Sequence, residues 1–163
     1  MRNTTLGYLE RDGCYLMLHR VKKEKDINKD KWIGIGGGME EGETPEEGMR
    51  REALEETGLT LGKMEYRGIV TFWCTDAEGG NPFGEYMHLF LCRDFSGEMR
   101  ECDEGTLEWV PVPDVEHLPI WEGDKIFLRL LREDVPFFSL KLVYRGDDLI
   151  QAIYNDNLLP IGS

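Results

Sequence analysis

The sequence has 163 residues and a mass of 18.8 kDa, enough for one compact domain with a sizeable core, since a fold of this size buries roughly 70% of its extended-chain surface. Lys and Arg number 19 against 32 Asp and Glu, a net charge of −13 that repels phosphate backbones and acidic membrane surfaces and excludes bulk electrostatic binding to nucleic acid. A polyanionic small molecule is compatible with that charge only where divalent cations, or a local set of Arg and backbone N–H groups, reverse the field.

In chain order, Leu6 to Glu10 and Cys14 to His19 are β-rich runs flanking Asp12-Gly13, a pair suited to positive φ, and predict a hairpin. Residues 21–31 are polar and loop-like. Asp26-x-Asn28-x-Asp30 has the spacing of a calcium loop, but Lys31 stands where Gly is needed and Gly37 where a bidentate Glu is needed, so calcium is excluded there. Thr44-Pro45-Glu46-Glu47 is a helix start, with Thr44 as N-cap, Pro45 in the first turn and Glu47 completing a capping box. Gly58 is the matching stop, so the prediction is a helix over 45–57. Residues 64–73 and 86–95 read as strands separated by the Gly/Pro-rich loop 77–84, and 107–110 as a short strand ended by Pro111. Residues 122–133 place Ile126, Phe127, Leu130 and Leu131 at helical spacing. Residues 137–144 and 149–154, joined by a turn at 145–148, predict a final hairpin. Strands outnumber helices without alternating with them, which favours an α+β fold, a mixed sheet sandwich, over a doubly wound sheet.

The opening residues Met1 to Leu6 contain neither an apolar stretch nor a small-residue cleavage site, and no run approaches the ~18 apolar residues of a membrane span. A cytoplasmic location is the expectation, and Asn3-Thr4-Thr5 is then no glycosylation site. Cys14, Cys74, Cys92 and Cys102 show no C-x-x-C pairing, so reduced thiols without metal are expected. No repeat, low-complexity tract or Pro/Ser-rich linker divides the chain.

Gly34-Ile35-Gly36-Gly37-Gly38 fails the G-x-G-x-x-G dinucleotide pattern because position 39 is Met. The chemistry lies in the helix that follows, where Glu52, Glu55 and Glu56 fall within an arc of about 100° on one face. Like charges at i, i+4 destabilise a helix by roughly 0.2–0.5 kcal/mol each, so either water solvates that face or a hard cation offsets it. Mg²⁺ takes one or two carboxylates and shares its other positions with water and phosphate oxygens. Only Met49, Ala53 and Leu54 are apolar in the helix interior, as suits a surface site.

Gly37, five residues, Glu43, seven residues, then Arg51-Glu52-Ala53-x-Glu55-Glu56-x-Gly58-Leu59 resembles the Nudix box at every specified position. Further stretches, Leu16 to Arg20, Lys31 to Gly37, Glu101 to Trp109, Trp121 to Asp124 and Pro136 to Ser139, look like the MutX branch of the MutT-type 8-oxo-dGTP diphosphatases. The resemblance implies a single Nudix domain over 1–163, with a mixed β-sheet sandwich flanked by helices. It also implies an Mg²⁺-dependent pyrophosphohydrolase, with Mn²⁺ as a substitute, that converts 8-oxo-dGTP to the monophosphate and pyrophosphate in nucleotide-pool sanitation and DNA repair.

By the same similarity the Gly36 carbonyl, Glu52, Glu55, Glu56 and Glu104 hold the metal, and Arg51 orients Glu43 and Glu55. Glu52, Glu56 and Glu104 all remain open as general base. Arg20 is expected at the phosphates and Ile35 to Gly38 beside the substrate, with Gly38 standing where related enzymes often carry Lys. The base would fall to Thr5, Ile33, Trp121, Asp124 and Phe127. Trp121 either stacks on a purine or packs at the helix start, and Asp124 either meets a purine edge or caps the helix. Ile33 and Gly123 replace Asn and Asp of better-known members. The expected partner is a small nucleotide, with no membrane and no bulk nucleic acid, and the protein is a monomer or homodimer. Two alternatives are a Nudix hydrolase for ADP-ribose, a dinucleoside polyphosphate or an RNA 5′ end, and a non-catalytic Nudix-like binding module.

Overall fold

A computed structural model of the chain describes residues 1–22 and 28–161; Asp26 of the discarded calcium spacing lies outside them. β1 (Arg2–Arg11) and β2 (Cys14–His19) form the predicted hairpin, with Glu10 opposite Tyr15 and Arg11 opposite Cys14. Its turn places Asp12 at φ 52° and Gly13 at φ 74°, the left-handed conformation that a two-residue hairpin loop requires. β1 begins four residues before the predicted start. Arg2, Asn3, Thr4 and Thr5 look polar in sequence, yet they pair in parallel with residues 85–88, and both threonines are buried.

The remaining elements are β3 (Trp32–Ile33), α1 (Pro45–Thr57), β4 (Thr60–Leu61), β5 (Met64–Thr75), β6 (Phe83–Cys92), β7 (Phe95–Ser96), β8 (Thr106–Pro111), α2 (Val112–Val115), α3 (Asp124–Arg132), β9 (Phe138–Arg145), β10 (Asp148–Tyr154) and β11 (Asn157–Leu158). Strand order in the main sheet is β11-β10-β9-β5-β6-β1-β2-β3, with β8 also on β2, and β4 pairs with β7 separately. The mixed sheet, with three flanking helices among the described residues, is the α+β sandwich that the sequence predicts. β6 lies three residues earlier than predicted, because Phe83 already pairs with Cys74, while Phe95 leaves the sheet to pair with Leu61. α3 starts at Asp124 rather than 122. β3, β4, β7 and β11 have two residues each and α2 has four, too short for a periodicity to be seen.

Two cores result. Met49 and Ala53 of α1 close one over Leu9, Leu16, Leu18, Phe90 and Cys92. Phe127, Leu128 and Leu131 of α3 close the other over Val70, Leu89, Leu140 and Leu142. α1 has the predicted bounds and caps: Thr44 Oγ1 accepts from the Glu47 N–H at 3.0 Å, Glu47 Oε1 accepts from the Thr44 N–H at 3.0 Å, and Gly58 at φ 80° ends it. All four cysteines are free thiols, three of them buried.

Candidate active site

The glycine segment becomes a strap along the free edge of β1. Thr5 N–H donates to the Gly37 carbonyl at 2.9 Å, Gly7 and Ile35 exchange backbone bonds at 2.6 and 2.8 Å, and Met39 N–H donates to the Asn3 carbonyl at 3.0 Å. At Gly36 only glycine fits, because a Cβ would collide with the Thr5 carbonyl, and a Cβ on Gly37 would lie 2.8 Å from the Glu52 carboxylate and displace it. The strap therefore holds its backbone against the carboxylate face of α1.

Arg51 organises that face. Its Nε and Nη2 donate to the two Glu43 oxygens at 2.7 and 3.0 Å, its Nη1 to Glu52 at 3.0 Å and Glu55 at 3.3 Å, and its Nη2 also to the Gly38 carbonyl at 2.9 Å. Paired bonds of this kind are charge-assisted and directional. They raise the Arg51 guanidinium further and hold the Glu43 carboxyl below its ordinary range. Glu43 also accepts from the Glu40 N–H at 2.7 Å. Glu55 thus faces Arg51 and solvent, while Glu52 and Glu56 line the cavity beside the strap.

Glu56 is 6% exposed and accepts from the Gly36 N–H at 3.1 Å. Burial, then repulsion by Glu104 and Glu52, pushes its carboxyl up to about 9, with Gly36 N–H and Arg20 opposing. Burial also raises Glu52, against the pull of Arg51. Glu104 lies 3.1 Å from Arg20 Nη1 in an ion pair. Among the described residues no three acidic, His or Cys side chains converge into a closed metal cage. The arrangement suits Mg²⁺ nonetheless, since that ion needs few carboxylates and the donors here are hard oxygens beside a backbone cradle. A buried carboxylate at about 9 gains most from a cation that lets it ionise.

Arg20, Glu52, Glu56, Glu104 and Gly36 to Gly38 form the polar end of a cavity of about 360 Å³. Thr5, Ile33, Trp121 and Asp124 also line it, so the structure brings most of the expected substrate residues together. Three expectations are corrected. Glu55, expected among the metal ligands, does not line the cavity, because its place on α1 turns it towards Arg51 and solvent. Ile35 is fully buried in the core beneath α1, because its side chain points away from the strap face, and it serves by its backbone bonds to Gly7. Phe127 is fully buried against Tyr8, one turn down α3 from the cavity wall, where its apolar ring completes the core.

Trp121 is held on several sides. Its Nε1–H donates to Asn28 Oδ1 at 2.7 Å, Lys31 Nζ lies 4.4 Å from its ring centroid, and Phe72 and Tyr144 meet it edge-on at 5.6 and 4.9 Å. It is both core and cavity wall. Asp124 makes no cap at the start of α3 and is 8% exposed, and burial pushes its carboxyl up to about 8 despite Lys31. The sequence reading missed Arg2, Thr4, Leu6, Asn28, Phe72, Phe83, Glu85 and Met87 in the lining. Alternation on β1 and β6 puts Arg2, Thr4, Leu6, Glu85 and Met87 on one face, a signal available only once the parallel register between those strands is known. Over Gly38, where a Cβ would strike it, lies the Arg2 guanidinium.

The NUDIX domain family matches residues 3–131. The chain is 29% identical over 128 residues to the oxidized purine nucleoside triphosphate hydrolase of Danio rerio, covering 78% of this chain and 79% of that protein. It is 35% identical over 126 residues to the uncharacterized Nudix hydrolase YvcI of Bacillus subtilis (strain 168), covering 76% of this chain and 75% of the relative. Among solved structures, the MutT protein from Bacillus halodurans superposes with a TM-score of 0.83 at 27% identity over 95% of this chain and 98% of its own. No helix among the described residues is long and apolar enough to cross a membrane. With its box on a capped helix, its glycine strap and its sheet sandwich, the chain belongs to the Nudix family, as a MutT-type member.

Proposed function

We propose that this chain is an Mg²⁺-dependent pyrophosphohydrolase of purine nucleoside triphosphates, 8-oxo-dGTP foremost, that works in the cytoplasm to clear oxidised nucleotides before they reach DNA. The observation that carries this reading is a single cavity with an acidic, glycine-lined end and an apolar, aromatic end, matched to a triphosphate and a base respectively. Similarity to a protein named for oxidised purine triphosphates supports the substrate class.

Mg²⁺, or Mn²⁺ in its place, would be held by Glu52, Glu56, Glu104 and the Gly36 carbonyl, and supplies charge neutralisation of the phosphates and acidification of water. Arg51 fixes the Glu52 rotamer from outside the cavity, so that this carboxylate is aimed before substrate arrives. Gly36 and Gly37 let a phosphate approach the backbone without a side chain in the way. Arg20, ion-paired to Glu104, brings a positive charge to the same end, and Arg2 stands over Gly38 at the rim. One carboxylate among Glu52, Glu56 and Glu104 takes the proton of the attacking water, and attack at the phosphorus nearer the nucleoside releases pyrophosphate. Trp121, held edge-on by Phe72 and Tyr144, offers a rigid wall to the base.

Incubating the purified protein with Mg²⁺ and a panel of purine triphosphates, ADP-ribose and dinucleoside polyphosphates tests this. Monophosphate plus pyrophosphate, with the highest kcat/KM on 8-oxo-dGTP, is the expected result. Turnover confined to ADP-ribose or dinucleoside polyphosphates, or none at all, sinks the proposal.

A further inference from the structure

Glu85 sits where nothing in the Nudix box places an acid. It projects from β6 into the apolar end of the cavity, opposite Arg2 in the parallel register and on the same face as Met87 and Thr4. Its side chain is only 17% exposed, and the contacts to it are long: Arg2 Nη1 at 3.5 Å and Thr4 Oγ1 at 3.4 Å. Arg2 is itself 58% exposed, so this is a weak ion pair rather than a tight structural one. A half-desolvated carboxylate in such surroundings costs stability unless something donates to it. Its apolar neighbours, Phe72, Phe83 and Met87, are suited to grip the faces of a flat ring and present that ring's edge to the carboxylate.

We propose that Glu85 is the group that selects the base, its carboxylate accepting the two adjacent N–H donors of a guanine-type Watson–Crick edge. A carboxylate only accepts, and its two oxygens match two parallel donors. Guanine and 8-oxoguanine both present N1–H beside an exocyclic amino group. Hypoxanthine presents N1–H alone, and adenine sets a lone pair beside its amino group, which a carboxylate repels. Arg2, at the rim, favours the charged form of Glu85 and opposes the burial that raises its carboxyl. The inference rests on the nucleotide reading above and adds to it the edge that is read and the residue that reads it.

The test is calorimetric binding of dGMP, dIMP and dAMP to the wild type and to Glu85→Gln, with kcat/KM for dGTP and 8-oxo-dGTP alongside. The wild type is expected to bind dGMP about 10-fold or more tighter than dIMP, and dAMP more weakly still. Glu85→Gln should weaken dGMP about 10–100-fold and bring the dGMP to dIMP ratio towards one, without weakening dAMP. The loss on dGTP and 8-oxo-dGTP should be equal, since both carry the same donor pair, and should lie in KM rather than kcat. An unchanged ratio in Glu85→Gln overturns the inference, as does a wild-type ratio near one, which decides the matter even if the variant does not fold. Selective, Glu85-dependent binding of dGMP without hydrolysis of any triphosphate would sink the proposed reaction and leave this inference standing. Hydrolysis of purine triphosphates without discrimination at Glu85 would do the reverse.

Discussion

The two ends of the cavity are built in opposite ways. The acidic end comes almost entirely from one continuous segment, Gly36 to Glu56, in which a capped helix carries Glu52 and Glu56 and Arg51 ties the helix back to Glu43 and Gly38. Glu104 and Arg20 are its additions from elsewhere. The apolar end is assembled from β1, β5, β6 and the start of α3, none of which supplies more than a few of its walls. A site made by local geometry can be written as a spacing, whereas one made by strand register cannot. The ends also differ in charge: eight Glu and two Arg lie between Gly37 and Leu59, about half of the chain's net −13, while the apolar end holds two acids, Glu85 and Asp124, each pushed up by burial.

The comparison is broken most severely at Glu56. Glu56→Gln should lower kcat with Mg²⁺ by about 10²–10⁴-fold. The urea midpoint of the metal-free protein should meanwhile stay level or rise, because a buried acid at about 9 is lost. Wild-type kcat in the variant would remove Glu56 from the chemistry.

Asp124 is the counterpart at the other end, and its effect depends on pH. Its folded pKa, about 8, is raised above the unfolded value of about 3.9, so the folded state holds the proton longer. The stability that this contributes is complete below about pH 4 and is lost as pH rises through about 8. Asp124→Asn should remove that slope. Urea midpoints from pH 5 to 9 should show the wild type losing ground to the variant by on the order of a few kcal/mol, and parallel profiles would refute the burial.

Arg51→Ala is expected to cost about 1–3 kcal/mol, since it strands Glu52 while water screens the more exposed Glu55. Activity should fall about 10–100-fold with little change in KM, the mark of a positioning residue. A KM effect alone would place Arg51 at the substrate instead. The smallest effect belongs to the cap: Thr44→Ala should lower stability by about 1 kcal/mol and leave base preference untouched. A changed preference would mean that the two ends are not independent.

Legibility followed the same division. The hairpin turn at Asp12-Gly13 and the bounds of α1 were readable because each depends on φ preferences and capping bonds within a few residues. The box was readable because one helix and one strap set its spacing. The starts of β1 and β6 were not, since Arg2 to Thr5 earn their strand from the parallel partner at 85–88. Ile35 and Phe127 were misplaced for a related reason: both neighbour cavity residues in sequence, yet alternation along the strap and the turn of α3 aim their side chains into the two cores.

Composition, charge and spacing therefore settled the class of fold, the family and the carboxylate face, because these follow from short-range geometry and from the kinds of atom present. Which side chains share the apolar end was settled by packing. Arg2 and Glu85 are 83 residues apart and meet only because β1 lies parallel to β6, with the strap taking the other edge of β1. Neither residue carries a local pattern that announces the pairing. The long-range register puts a weakly held carboxylate among aromatic walls, and with it the chemistry that would tell one base from another.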